Sequence, residues 1–282
     1  MLQARVLALT SFAMMAFAGN SLLCREALRH TSIDAASFTS IRLVSGALML
    51  WLAARMRGGA RSGAGNWLSA LALFAYAAGF SFAYTSLSAG TGALLLFGAV
   101  QTTMISHGIF KGERFSRLQF IGFALALTGL IALLLPGLAA PPLFGSMLML
   151  AAGIAWGIYS LRGRAGGDPT LTTAGNFLRA VPMALLLSLL TLTGAPLDPA
   201  GVAYAIASGA LASGIGYAIW YTVLPALKAT SAATVQLSVP VIAALGGVVF
   251  LGETVSLRLA LASIAILGGI ALVILEKRPG RS

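Results

Sequence analysis

The sequence predicts an all-α integral membrane protein: ten transmembrane helices in two five-helix repeats of opposite orientation, residues 1–137 and 138–282. Three observations carry this. Of 282 residues, 59% are apolar and only 9% charged, where a soluble domain carries roughly 25% charged residues. The apolar residues fall into ten runs, giving a mean hydropathy of +0.93. A Gly-Glu pattern also recurs, at Gly112-Glu113 and Gly252-Glu253.

A chain this poor in charge cannot cover itself for water. In lipid every backbone polar group must be bonded internally, which favours helices. A spanning helix needs about 20 mostly apolar residues. Runs of that kind lie at 5–24, 34–54, 67–88, 91–110, 117–136, 142–162, 171–194, 200–223, 230–251 and 256–275. Breakers separate them: Gly58-Gly59, Pro136 with Pro141-Pro142, Gly166-Gly167, and Pro196 with Pro199. Residues 1–24 have the outline of a secretory signal, with Arg5 ahead of an apolar run. More spans follow it, so it reads as the first membrane helix. The single cysteine, Cys24, excludes an intrachain disulfide and a CxxC site.

Orientation follows from the basic residues. With the N-terminus cytoplasmic, that side holds Arg5, Arg55, Arg57, Arg61, Lys111, Arg114, Arg117, Arg162, Arg164, Lys228, Lys277, Arg278 and Arg281. The other side holds Arg25, Arg29 and Arg258, while Arg42 and Arg179 fall within spans. Lys and Arg resist translocation, so both termini are expected in the cytoplasm. The net charge of +11 is thus an orientation signal. No basic helix or aromatic platform accompanies it, and nucleic acid is not expected as a partner.

The repeat is visible in several stretches. Gly112-Glu113-x-x-Ser116 matches Gly252-Glu253-x-x-Ser256, and Thr128–Ala132 matches Gly268–Leu272. Tyr84-Thr85 matches Tyr221-Thr222, and Arg42 matches Arg179. Phe17, Asn20, Ser21 and Arg25 match Trp156, Tyr159, Ser160 and Arg164. Five spans per repeat is an odd number, so the second half enters from the opposite face, a common plan for secondary transporters.

On these residues the chain resembles the EamA type of the drug/metabolite transporter superfamily. The resemblance is carried by Phe110-Lys111-Gly112-Glu113-Arg114-Phe115-Ser116 and Phe250-Leu251-Gly252-Glu253-Thr254-Val255-Ser256. Gly216-Tyr217-Ala218-Ile219-Trp220-Tyr221 is similar to the family's eighth helix, and Val235–Val241 to its ninth. Repeat one departs from it, with Val100 where repeat two has Pro240, so a proline kink is expected in the ninth helix alone. The resemblance implies a bacterial inner-membrane exporter of small metabolites, and Gly-Tyr-Ala-x-Trp looks like the amino-acid-exporting branch. It implies no cofactor, and a monomer or weak dimer is expected. Cargo varies widely among such proteins, so a multidrug or other metabolite exporter of the same fold stays open.

The candidate substrate-binding residues are aromatic, amide and hydroxyl groups placed away from span ends. They are Asn20, Tyr84, Phe97, Gln101, Trp156, Tyr159, Tyr217, Trp220, Tyr221, Gln236 and Ser238. Interfacial aromatics would sit at span ends, and Trp156 and Tyr217 are too deep for that. Amides in lipid need partners, so Gln101 and Gln236 should face the bundle interior. The set predicts a central cavity lined by spans 1, 3, 4, 6, 8 and 9, with helix packing the plainer alternative for each residue alone.

Gating or structural roles are expected for Arg42, Arg179, Glu113, Glu253 and Pro240. A charge at bilayer centre costs at least about 2.5–3.5 kcal/mol. Arg42 and Arg179 should therefore snorkel, pair, or meet a carboxylate. Glu113 and Glu253 follow glycines suited to a C-cap turn and precede helices whose N-termini favour negative charge. Ser116 with Gln119 has the form of a capping box. Gly153-x-x-x-Gly157 and Ala212-x-x-x-Gly216 have the spacing of close helix packing.

Other functions lack their chemistry. An intramembrane enzyme needs a nucleophile with a base, paired aspartates or a metal triad. Asp34, Asp168 and Asp198 fall in connectors, and His30 and His107 have no second ligand at metal spacing. No acidic ring or filter loop marks a channel; a channel or a non-transporting scaffold is the remaining alternative of a different class. All seven acidic residues lie at span ends or in connectors, which favours facilitated export over proton coupling.

Overall fold

Most of the helices begin where the sequence supplies a cap. In the computed structural model, which describes residues 2–56, 64–112, 115–137, 139–163, 168–191, 197–227 and 235–275, α1 spans Leu2–His30 and α2 spans Ala35–Met56. Asp34 starts α2 by accepting from the Ala36 and Ser37 amides at 2.9 Å each. Asn66 caps α3 (Trp67–Tyr84), and Ser88 caps α4 (Ala89–Phe110). Ser116 and Gln119 form a complete capping box on α5 (Arg117–Leu134). Helix α6 is Leu143–Arg162. Asp168 and Asp198 cap α7 (Pro169–Leu190) and the start of α8 (Pro199–Ile206), each followed by a proline at the first helical position. Ser116→Ala is expected to cost about 1 kcal/mol, read as a lowered thermal midpoint in detergent.

Helix α8 continues as a π-helical stretch, Ala207–Ile215, and returns to α-helix over Gly216–Val223. The wider turns void the four-residue spacing argued for Ala212 and Gly216: Ala212 faces a cavity, and Gly216 lies against Ala16 and Phe17. Helix α9 is Ser238–Leu251 and α10 is Leu257–Leu275. The described residues contain no strand. Nine of these described helices are long and apolar enough to cross a membrane, and α9 is shorter at 14 residues. Large apolar side chains are exposed on many helices, among them Trp51, Phe120, Phe144, Leu189, Phe250 and Ile264. That is the surface a bilayer requires.

Three expectations need correction. Helix α1 runs to His30, so Arg25 is a buried helical residue rather than part of a connector. Pro240 sits in the first turn of α9, just after a turn at Leu237, so it follows a break instead of kinking a continuous helix. Among the described residues, the proline in a helix interior is Pro182 of α7.

The most extensive helix contacts recur when helix numbers are shifted by five. Helices α2–α7, α4–α9 and α5–α10 pack in pairs that map onto themselves. The α3–α6, α4–α6 and α3–α7 contacts correspond to α1–α8, α1–α9 and α2–α8. The pattern breaks among the lesser contacts, most clearly at α6. Helix α1 packs on α3 and α4, whereas the backbone of α6 stands off from α8 and α9 among the described residues. Small residues permit the closest approaches. A Cβ on Gly153 would lie 2.6 Å from the Leu96 carbonyl oxygen, which brings α6 onto α4. A Cβ on Gly122 would lie 2.6 Å from the Gly269 carbonyl oxygen, and one on Gly269 would collide with the Gly122 carbonyl, so α5 and α10 touch backbone to backbone.

Candidate functional site: a polar-aromatic cavity shut at one end

The cavity occupies the gap left by α6. It has a volume of about 390 Å³ and is walled by α1, α3, α4, α6, α8 and the turn before α9. From mid-depth it runs toward the end where α6 and α8 terminate, reaching Gly163, Leu227 and Gln236. Of the residues singled out from sequence, Asn20, Phe97, Gln101, Trp156, Tyr217, Trp220 and Gln236 line it.

Trp156 is the centre of the aromatic wall. Its ring stacks on Tyr159 and Tyr217, each at 5.3 Å between centroids, and lies 4.7 Å from Tyr76. Phe17 meets Tyr217 and Trp220 edge-on at 5.6 and 6.1 Å. Such contacts fix large flat surfaces at little entropic cost, since each ring has two side-chain torsions.

Other expected residues stand behind the wall. Tyr159 accepts a hydrogen bond from Asn176 Nδ2 at 3.4 Å. Ser238 donates its hydroxyl to the Val235 carbonyl at 2.6 Å. Tyr84 fills the closed end and donates to the Ala89 carbonyl at 3.3 Å. Arg179 is partly buried and donates to the carbonyls of Ala64 and Gly175 at 2.8 and 2.9 Å. Glu113 and the side chain of Tyr221 lie outside the described residues.

Arg42 behaves differently from its repeat partner. It is 1% exposed, donates from Nη2 to the Tyr76 hydroxyl at 2.9 Å, and lies 4.8 Å from the ring centre of Phe80 and 5.2 Å from that of Tyr76. Its Nε and Nη1 have no acceptor among the described residues. Both rings line the cavity, so this cation stands directly behind the wall.

The opposite end is closed by a buried ion pair. Arg25 Nε lies 3.2 Å from Glu253 Oε1, with the two side chains 7% and 8% exposed. Arg25 also donates to the carbonyls of Tyr84 and Thr85 at 2.9 and 3.3 Å. Glu253 Oε2 accepts from the Ala89 amide at 2.8 Å. Gly252 makes this possible: its φ of 62° is the left-handed conformation that glycine adopts without strain at a helix end. The N-terminus that Glu253 serves is that of α4, not of the following helix as its sequence position implied. One carboxylate thus ties α1, the α3–α4 turn and the α9–α10 turn together.

Sequence reasoning missed Tyr76, Phe80, Ser213 and Arg25 as functional residues. The repeat register held a signal, because Tyr76 and Ser213 stand 137 residues apart, as do Phe80 and Tyr217 and the recognised pair Arg42 and Arg179. All four of the first two pairs line the cavity.

The sequence model of the EamA-like transporter family matches residues 5–135 and again 143–275. An uncharacterized Pseudomonas aeruginosa protein is 58% identical over 99% of this chain and 97% of its own. An uncharacterized transporter of Archaeoglobus fulgidus is 25% identical over 94% of this chain and 95% of its own. The threonine/homoserine exporter RhtA of Escherichia coli is 32% identical over 55% of this chain and 53% of its own. One crystal structure shares the fold, with a TM-score of 0.67 and 19% identity over 94% of this chain and 95% of that one.

Proposed function

This chain belongs to the EamA-like transporter family, and on that premise we propose that it exports small metabolites, amino acids first, across a bacterial inner membrane. The carrying observation is the cavity: polar and aromatic, about 390 Å³, shut at one end by Arg25–Glu253 and extending to the other. Binding pockets for small molecules are of this size and makeup. The partial relation to RhtA, a threonine/homoserine exporter, supports amino acids as cargo.

The proposed mechanism is alternating access between two inverted repeats, residues 1–137 and 138–282. The five-step symmetry of helix packing, broken where α6 leaves α8 and α9, supports it. With both termini cytoplasmic, the cavity faces inward and the ion pair seals the outer end. Substrate would enter between α6, α8 and α9 and pack on Trp156, with its polar groups toward Asn20, Gln101 and Gln236. The described carboxylates cap helices or pair with basic residues. That arrangement favours export down a gradient without an obligatory proton.

Counterflow of labelled amino acids in proteoliposomes, with no pH gradient, tests this reading. Wild-type protein is expected to show saturable, competed exchange, and Trp156→Ala and Gln236→Ala to reduce it about tenfold or more. Strict dependence on an imposed proton gradient would overturn the coupling. Wild-type exchange in both variants would overturn the site.

A further inference from the structure

We infer that the deep end of the cavity holds a subsite for a carboxylate, formed by the hydroxyls of Tyr76 and Ser213 and charged from behind by Arg42. This inference rests on the exporter reading and specifies what its substrates must carry.

The argument is an account of donors and acceptors. The Tyr76 oxygen accepts from Arg42 Nη2 at 2.9 Å and from Asn20 Nδ2 at 3.4 Å. A guanidinium has only donors, so the first bond has one possible direction. In the second the donor is the Asn20 amide nitrogen, with Oδ1 turned to the Ser208 hydroxyl at 2.6 Å. A phenolic oxygen accepts at most two such bonds and owns one hydrogen. With both acceptor positions filled, that hydrogen is available only for donation, on a ring that lines the cavity.

Ser213 adds a second donor. The residue lines the same cavity, and its Oγ is buried with no hydrogen-bond partner among the described residues. A buried hydroxyl without a partner carries a desolvation cost that a ligand oxygen would relieve. Its place in the π-helical part of α8 is in keeping with the frequent use of such distortions at functional sites.

Charge selects the ligand. Arg42 stays protonated at any relevant pH, and no described carboxylate is its partner. Glu253 is held by Arg25 and Ala89, Glu26 contacts His30, and Asp34, Asp168 and Asp198 cap helices. Aromatic faces offset part of the cation's field, and the rest reaches the cavity through the polarised Tyr76 hydroxyl. A carboxylate has only acceptors and a negative charge, so it satisfies every group at this end. A carboxamide presents an NH₂ where only donors wait, and a plain amine has no acceptor to offer.

The test uses the full chain in proteoliposomes with labelled threonine, leucine and phenylalanine, each in competition with its own carboxamide. Wild-type protein is expected to prefer the acid by about tenfold or more. Tyr76→Phe keeps the ring and removes the donor, and the preference is expected to fall to within about twofold. Ser213→Ala, which changes the helix least, is expected to shift it in the same direction. Variants that both discriminate as wild type does would overturn the subsite while leaving the exporter reading intact. Wild-type protein that carries none of these amino acids would overturn both.

Discussion

Glu253→Gln is expected to unlock the end closed by the ion pair and to be among the most damaging single changes in the chain. Both members of the Arg25–Glu253 pair are more than nine-tenths buried, and removing one charge of a buried pair costs about 3–5 kcal/mol. Glutamine keeps the size and an acceptor for the Ala89 amide, so the loss is of charge alone. Arg25 would retain only the carbonyls of Tyr84 and Thr85. A loss of 3 kcal/mol is more than a hundredfold in an equilibrium, enough to shift the population away from the state in which this end is closed. The chain carries its own reporter. Cys24, next to Arg25, is fully buried and unpaired. Labelling by a membrane-impermeant maleimide applied outside should rise at least about tenfold in the variant, while exchange falls by a similar factor. The Arg25→Met, Glu253→Met double variant should recover much of the stability, because the uncompensated charge is gone. Unchanged labelling and exchange in Glu253→Gln would remove the ion pair from any gating role.

Gly209→Ala carries the second large effect. A methyl group there would collide with the Arg42 carbonyl oxygen and the Ser45 hydroxyl, and would lie 2.8 Å from the Arg42 carbonyl carbon. Backbone cannot swing aside as a flexible side chain can, so α2 and α8 would have to separate. Overpacking of this kind costs typically 1–3 kcal/mol, and the upper end applies because the obstacle is main chain. Separation would also displace Ser208 from Asn20 and so disturb the wall around Tyr76. Gly19→Ala is the matched control, since a Cβ at that position meets nothing within 4 Å. Thermal unfolding in detergent should show a clear drop for Gly209→Ala and little change for Gly19→Ala. Equal midpoints would mean that the α2–α8 contact is looser than drawn.

The helices were legible because length and apolar content suffice to mark a span, and Ser116 with Gln119 announced one helix start; the caps at Asp34, Ser88, Asp168 and Asp198 emerged with the structure. The end of α1 was not legible. Arg25 reads as a connector residue until its partner is known, and that partner is 228 residues away. The π-helical stretch of α8 is equally hidden, since Ala-Ser-Gly-Ala-Leu-Ala-Ser-Gly fits an ordinary helix just as well. In the cavity, Trp156, Tyr217 and Gln101 stood out because they are conspicuous in an apolar run. Tyr76 did not, because it lies among alanines and phenylalanines and its repeat counterpart is a serine of unlike chemistry. What makes it distinctive is the pair of donors that converge on its oxygen from α1 and α2, a property of three helices together.

The contact of α5 with α10 has a consequence for how the bundle can move. Where Gly122 and Gly269 meet, carbonyl presses on backbone with no layer of side chains between. The Gln119 side chain adds a bond to the Val273 carbonyl across the same two helices at 3.1 Å, so a displacement of either helix would break both contact and bond. The two helices are therefore expected to travel as a single rigid spine, so that under the proposed alternating-access mechanism the remaining eight would supply the displacements.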